Sequence, residues 1–475
     1  MDPQVELRMT PARPFTAFPL AAFCLFAIAF PADWLGAADR PNVLIIYSDD
    51  QGTLDAGCYG SEDIHTPAID SLAQRGVRFT RAYAHTVCCP SRAALMTGRH
   101  PQRTGVNSWA QRAITDPQGV NMSLDEVTLA EVFQQAGYRT ALFGKWHLGA
   151  HRDHGPTRQG FDKFFGIRDG FIDNHNHYFL HGDGFHDLFE GTKEVFAPGQ
   201  FFPDLITERS LDFLEQNRRG PFFLYLAYNT PHYPEQAPRR DLKHYRDVAE
   251  PRRSYGAFIT TTDRLIGRVL AKLDSLQLTD NTIVIFMSDN GHSEEDYQIR
   301  IDNHNSGYVK GHDYGPHGGG GNTGRWIGHK GTFLEGGVRV PAIISLPGTL
   351  PENVVRHQAI TTMDWFPTLL GLCQLPAPPV KLDGKDILPV INDPDLSSPH
   401  TQFYFQWQKN WAVRDGDWKL IRTQGRQADA PELFSLHHLA GDAPEVTNHA
   451  EDHPDIVKHL QQLYSNWAAD VFRGK

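Results

Sequence analysis

Two stretches restrict this chain more than any other: "PNVLIIYSDD" at 41–50 and "NTIVIFMSDNG" at 281–291. Each is an unbroken apolar run that stops at acidic residues. A half-exposed strand would alternate apolar and polar residues, so these runs predict strands covered on both faces, as in a parallel sheet. "PFFLYLAYNTPHYP" at 221–234 and "VPAIISLPG" at 340–348 read in the same way. Helical patterns lie between them. One covers 67–75, with Thr66 as N-cap and Gly76 as stop. Another covers 129–136, with Thr128 and Glu131 as a capping box and Gly137 as stop. A long one covers 255–276. Strands alternating with helices predict an α/β fold with a large, mainly parallel sheet flanked by helices. In such sheets the chemistry gathers beyond the carboxyl ends of the strands. Asp49, Asp50, Asp289, Asn290 and His232 all follow apolar runs in that way.

The character of the chain changes after "LPAPPVKLDGKDILPVI" at 375–391. Short strand-like pieces follow, "FYFQWQ", "WAVRDGDWKLIRT" and "PELFSL", then a helical pattern at 455–468. These predict a smaller C-terminal α+β subdomain over 395–475, after a larger domain over 39–394. At the other end, "FTAFPLAAFCLFAIAF" at 15–30 is apolar but short and broken by proline. It reads as part of a signal peptide, 1–38, with no stable membrane insertion, and predicts a periplasmic or secreted protein. Cys58, Cys88, Cys89 and Cys373 then remain, and the adjacency of Cys88 and Cys89 argues against a disulfide framework. A net charge of −11 argues against a nucleic-acid partner, though not against an anionic substrate held in a local basic pocket.

The stretch "CCPSRAALMTGR" at 88–99 poses a sharper question. Pro90 suits the first position of a helix and Gly98 its stop, which would put Cys88 just before a helix N-terminus. Free N–H groups there favour an anion, and Arg92 adds a permanent cation. The same residues also read as a capped structural helix with a buried cysteine. Three carboxylates and an amide at 49, 50, 289 and 290 form a hard-oxygen set that suits Ca²⁺ or Mg²⁺ and not zinc. They also suit strand-end caps and turns.

Residues 88–99 match the signature C-x-P-S-R-x-x-x-x-T-G-R, and the chain thereby resembles the formylglycine-dependent sulfatases of the alkaline-phosphatase-like superfamily. The resemblance runs from about Pro41 into the C-terminal subdomain. It implies that a formylglycine-generating enzyme converts Cys88 to formylglycine (3-oxoalanine), with Cys89 in a variable position. It implies one Ca²⁺ held by Asp49, Asp50, Asp289, Asn290 and the residue at 88. From "GKWHLG", "TPHYP" and "GHKGTFLEGGVRVP" it implies Lys145, His147, His232 and Lys330 as catalytic residues. Arg92, Lys145 and Lys330 would surround the sulfate, His232 would act as acid, His147 as base, and Arg339 would support the site. One hydroxyl of hydrated formylglycine would attack sulfur; the other would let free sulfate depart. The implied activity is hydrolysis of a sulfate ester to alcohol and sulfate. Export and a long Gly/His-rich loop at 302–324 favour a carbohydrate sulfate over an aryl sulfate. His175, His177, Lys310, His312 and Arg325 are candidates for substrate selection, against the more ordinary reading of loop polarity. Two other readings stand beside this one: a phosphonate or phosphodiester hydrolase with the same nucleophile, and a non-catalytic sulfoglycan-binding protein with unmodified Cys88.

Overall fold

The computed structural model describes residues 40–108, 120–182, 184–294, 304–309, 312, 315, 318–425, 430–441 and 444–472. The leader expected at 1–38 and Lys310 lie outside these. The apolar runs become the middle of a ten-stranded sheet. In chain order its strands are β1 (Asn42–Asp49), β2 (Val77–Tyr83), β3 (Arg139–Lys145), β4 (Lys163–Ile167), β5 (Phe189–Glu190), β6 (Lys193–Glu194), β7 (Phe222–Pro231), β8 (Thr282–Ser288), β9 (Arg339–Ser345) and β10 (Val354–Thr361). Their spatial order is β10-β2-β9-β8-β1-β7-β3-β4-β5-β6. β8, β1, β7, β3 and β4 run parallel to one another. The "VPAIISLPG" strand, β9, is antiparallel to both β2 and β8, so the sheet is mixed but mostly parallel.

Alternate residues of one strand enter two different cores. Val43, Ile45 and Tyr47 pack on one face with Tyr225 and Met287. Leu44 and Ile46 pack on the other with Leu224 and Phe286. Burial on both faces explains why these strands contain no polar alternation.

The helices follow the sequence reading closely: α1 (Pro67–Gln74), α2 (Cys88–Thr97), α3 (Leu129–Gln135) and α4 (Arg252–Ser275). The capping box of α3 is formed, with Glu131 N–H donating to Thr128 Oγ1 at 3.1 Å and Thr128 N–H to Glu131 Oε2 at 2.7 Å. Thr66 is the N-cap residue of α1 as expected, but its side chain makes no capping bond; its hydroxyl oxygen instead accepts from Gly57 N–H at 2.7 Å. Among the described residues no helix is long and apolar enough to cross a membrane.

A second sheet lies toward the C-terminus: β11 (Gln402–Trp407), β12 (Asn410–Asp415), β13 (Trp418–Gln424) and β14 (Glu432–His438), all antiparallel. Its residues alternate in the period of two that a doubly covered antiparallel sheet requires. Trp411, Val413, Leu420 and Leu436 face α5 (Pro454–Val471), while Phe403, Phe405, Ala412 and Ile421 pack on Tyr83, Phe333 and Val338 of the larger part.

β3 and β7 approach closely at Gly144, whose φ is +121° and where a Cβ would sit 1.8 Å from the Ala227 oxygen. Gly137, after α3, has φ +86° but open space around it. Gly137→Ala should cost only backbone strain, about 1 kcal/mol. Gly144→Ala must also push two central strands apart and should cost about 3 kcal/mol or more. Denaturant unfolding of the two variants checks this; equal midpoints would mean that the close approach at Gly144 is unimportant.

Candidate active site

The strand order β8-β1-β7-β3 brings four carboxyl ends side by side. β1 delivers Asp49, with Asp50 next in a left-handed conformation (φ +67°). β8 pairs in register with β1, Ser288 opposite Ser48, so Asp289 and Asn290 emerge beside the β1 acids. His232 follows β7, and Lys145 ends β3 with His147 two residues on. Cys88 comes from α2, which follows β2. Here the structure corrects the sequence reading. Cys88 is the first helical residue and not the one before it, and Val87 is the N-cap. Pro90 then falls third, still inside the first turn, where its missing N–H costs no helical hydrogen bond. Gly98 ends the helix as expected, at φ +64°.

The side chains form one buried charge cluster. Lys145 Nζ donates to Asp49 Oδ2 at 2.6 Å. Arg92 donates through Nε (3.1 Å) and Nη2 (2.7 Å) to Asp289 Oδ2, and its Nη2 lies 3.7 Å from Asp49 Oδ2. Lys330 Nζ donates to Asp50 Oδ2 at 2.9 Å, and His232 Nε2 lies 3.7 Å from the same oxygen. The Cys88 thiol donates to Asp49 Oδ1 at 3.4 Å. One oxygen from each of Asp49, Asp50 and Asp289, together with Cys88 Sγ, all lie within 4.8 Å of one another. Asn290 donates its amide to Asp50 Oδ1 at 2.6 Å, while its own Oδ1 is buried and has no hydrogen-bond partner among the described residues. That leaves an orphaned amide oxygen beside converging carboxylates, all hard donors, which fits a hard divalent cation.

The charges explain the titration of each group. Burial pushes Asp49 up, but Lys145, His232, Arg92 and Lys330 together outweigh it and hold the carboxyl well below its usual range. Asp289 is pushed up to about 7 by burial and then by Asp49, which Arg92 and Lys145 do not fully offset. Burial raises the Cys88 thiol well above its usual range. An unmodified cysteine here is therefore a protonated thiol and a poor nucleophile. Burial, then Lys145 and Arg92, hold the His147 imidazole well below its usual range, so it is neutral.

The structure adds residues that the sequence reading passed over. Asp169 Oδ1 lies 3.9 Å from His147 Nε2. It is set there by a turn whose Arg168 and Asp169 N–H groups donate to the Asp187 carboxylate at 2.9 and 2.8 Å. A Cβ on Gly170 would lie 2.9 Å from the His147 ring, so the turn lies directly against the histidine. Tyr225 Oη and the Lys145 carbonyl oxygen accept from Arg92 Nη1 at 3.4 and 3.3 Å. "RDG" after an apolar strand was the available signal for Asp169, but that pattern marks countless ordinary turns.

Of the residues expected to select substrate, His177 is fully buried and bonded through Nε2 to the Gln200 oxygen at 3.1 Å, so it is structural. His175 rests on Phe201, His312 stacks on Tyr308, and exposed Arg325 lies over Trp326. Arg339 stays outside the cluster and donates to the Thr80 oxygen and to Glu335.

Residues 41–375 match the sulfatase family model. The chain belongs to the sulfatase family. It is a sulfuric ester hydrolase. Residues 325–469 also match the model for the C-terminal part of N-sulphoglucosamine sulphohydrolase. This sulfatase is 33% identical to mouse arylsulfatase J over 490 aligned residues, covering 92% of this chain and 77% of the relative. It is 33% identical to dog N-acetylgalactosamine-6-sulfatase over 406, covering 81% and 72%. A solved structure of Ps i-CgsB in complex with k-i-k-neocarrahexaose superimposes with a TM-score of 0.74 at 27% identity, covering 90% of this chain and 92% of the other.

Arg92→Ala in this sulfatase leaves Asp289 and Asp49 short of a buried cation. Breaking a buried pair by removing one partner costs about 3–5 kcal/mol. Arg92→Lys keeps the charge but not the fork and should lose less. Denaturant midpoints should fall in the order parent, Arg92→Lys, Arg92→Ala; an unchanged Arg92→Ala would mean that the guanidinium is not what neutralises the acids.

Proposed function

We propose that the chain is an exported, calcium-dependent sulfatase that hydrolyses a carbohydrate sulfate ester through formylglycine made from Cys88 by a formylglycine-generating enzyme. The observation that carries this reading is the convergence of Asp49, Asp50, Asp289 and Cys88 within 4.8 Å, ringed by Arg92, Lys145 and Lys330. Three carboxylates against three fixed cations balance; a bound divalent cation would leave the pocket positive, which suits an anionic ester. Asp49, Asp50, Asp289 and Asn290 would hold Ca²⁺. Bound Ca²⁺ and hydrated formylglycine would supply an activated oxygen nucleophile and a second hydroxyl on the same carbon. Similarity to an N-acetylgalactosamine-6-sulfatase and to a protein solved with k-i-k-neocarrahexaose supports a sugar ester.

The chain's own residues divide the remaining work. Arg92, Lys145 and Lys330 bind the sulfate oxygens. His232 donates Nδ1–H to the Tyr233 oxygen at 2.7 Å, because a carbonyl can only accept. In the imidazolium form, with Nδ1–H on that carbonyl, Nε2–H delivers its proton to the departing alcohol oxygen and leaves the neutral Nδ1–H imidazole. Neutral His147 is set to accept a proton in the step that frees sulfate.

Peptide mass analysis after co-expression with a maturation enzyme should find formylglycine at 88 and an unchanged Cys89. Cys88→Ala should abolish turnover while Cys89→Ala keeps much of it; an active Cys88→Ala enzyme would end this reading.

The two histidines should fail differently, each by about 10²–10⁴-fold. His232→Ala should lose most rate on sugar sulfates and less on aryl sulfates, whose leaving groups need less protonation. His147→Ala should give a burst of about one alcohol per active site and then stall. Equal losses on every substrate with no burst would remove both assignments.

A further inference from the structure

Lys419 lies on β13, far along the chain from every residue of the active site, yet its side chain is fully buried. Its Nζ is 3.0 Å from Glu335 Oε1 and 2.8 Å from Glu445 Oε1. Glu445, in a left-handed conformation (φ +59°), accepts the Glu335 backbone N–H on Oε2 at 2.6 Å. Glu335 Oε2 in turn accepts from Tyr83 Oη at 2.8 Å and Arg339 Nη1 at 3.1 Å. Both the backbone and the carboxylate of Glu335 are therefore gripped. Tyr83 and Arg339 come from the large sheet, and Lys419 from the small one.

Glu335 opens a short turn, Glu335–Val338, at the end of the segment that carries Lys330. That segment is closed on itself by Gly336 N–H donating to the Ile327 oxygen at 2.9 Å. It is pinned beside the catalytic residues by Lys330 N–H donating to the His292 oxygen (2.9 Å) and Gly331 N–H to the Thr86 oxygen (2.7 Å). Phe333 and Val338 pack with Phe403, Phe405, Ala412 and Ile421 of the small sheet. The apolar contacts already hold the two sheets together, so the buried ions are not needed as glue. Replacing a buried ion group by well-packed apolar side chains is often neutral or stabilising, and in some proteins what such a group supplies is a defined geometry. The geometry it defines here is the position of Glu335, five residues after Lys330.

We propose that Lys419 and Glu445 are positioning residues for Lys330: the small sheet reaches the reaction through an ion group that sets where the Lys330 ammonium stands. The proposal rests on the reading of Lys330 as a sulfate-binding cation. Without Lys419, the Glu335 and Glu445 carboxylates share one buried turn with less positive charge between them. Like charges in a low-dielectric setting move apart or take up a proton, and either change shifts the turn.

The test is a double-mutant cycle on the full-length matured enzyme, with an activated aryl sulfate so that weak variants stay measurable. Lys330→Ala should lower kcat/KM by about 10²-fold. Lys419→Met, assayed where circular dichroism shows it folded, should lower kcat/KM by about tenfold in the parent and by less than about twofold in the Lys330→Ala background, since residues acting through one another are not additive. Equal losses in the two backgrounds would show a role in stability alone and overturn the proposal, as would no loss in the parent. If Lys330→Ala itself is fully active, the reading of Lys330 falls, and the proposal with it. If Lys419→Met does not fold, Glu445→Gln, which keeps an acceptor for the Glu335 N–H, replaces it in the same cycle: a loss confined to the parent supports the proposal, and equal losses or none overturn it.

Discussion

Everything at the centre of this protein answers to one constraint: three carboxylates, Asp49, Asp50 and Asp289, are buried together. Isolated charges do not survive in such a place, so each needs a cation within hydrogen-bonding distance. Lys145, Lys330 and Arg92 supply one to each acid. The three cations come from three separate parts of the chain: the end of β3, a long loop, and the first turns of α2. Meeting that requirement draws β1, β3, β8 and α2 to one point.

The parallel sheet makes this meeting possible. Adjacent parallel strands end on the same edge, so the residues just beyond β8, β1, β7 and β3 are neighbours whatever their separation in sequence. Asp49 and Asp289 are 240 positions apart, yet the Ser48–Ser288 register places them side by side. Glycine at 144 allows β3 to press close against β7, and the backbone of Gly170 leaves room for the His147 ring. The small antiparallel sheet stands outside this arrangement but touches it through Phe403, Phe405 and the buried Lys419.

Much of the fold was legible because its signals are local. Continuous apolar runs announced β1, β7, β8 and β9, and the Thr128–Glu131 capping box announced α3. β2, with arginines at 78 and 81, and β10, with Arg356 and His357, were not legible, since toward the sheet's edge one face is partly exposed and polar residues are tolerated. The direction of β9 was hidden as well; an apolar run looks the same whichever way it pairs. The start of α2 was displaced because proline is accepted anywhere in a helix's first turn.

At the site, place after apolar runs drew attention to the acids and His232 but left the acids readable as caps and turns; it was the resemblance of "CCPSRAALMTGR", "GKWHLG", "TPHYP" and "GHKGTFLEGGVRVP" to the sulfatase family that named Cys88, the lysines and the two histidines. Sequence alone could not separate His177, a buried residue bonded to a backbone oxygen, from a histidine that meets substrate. Nor could it single out Asp169, Tyr225 or Lys419, which are ordinary residues in ordinary patterns. Those roles depend on distances across the fold, such as 3.9 Å from Asp169 to His147 and 3.0 Å from Lys419 to Glu335. The sequence by itself determined which side chains carry charge and which strands are buried, because both are properties of residue type and local pattern. Only the tertiary structure decided which charges neutralise one another, because that depends on which strand ends the sheet brings within about 3–4 Å, where buried charges interact strongly.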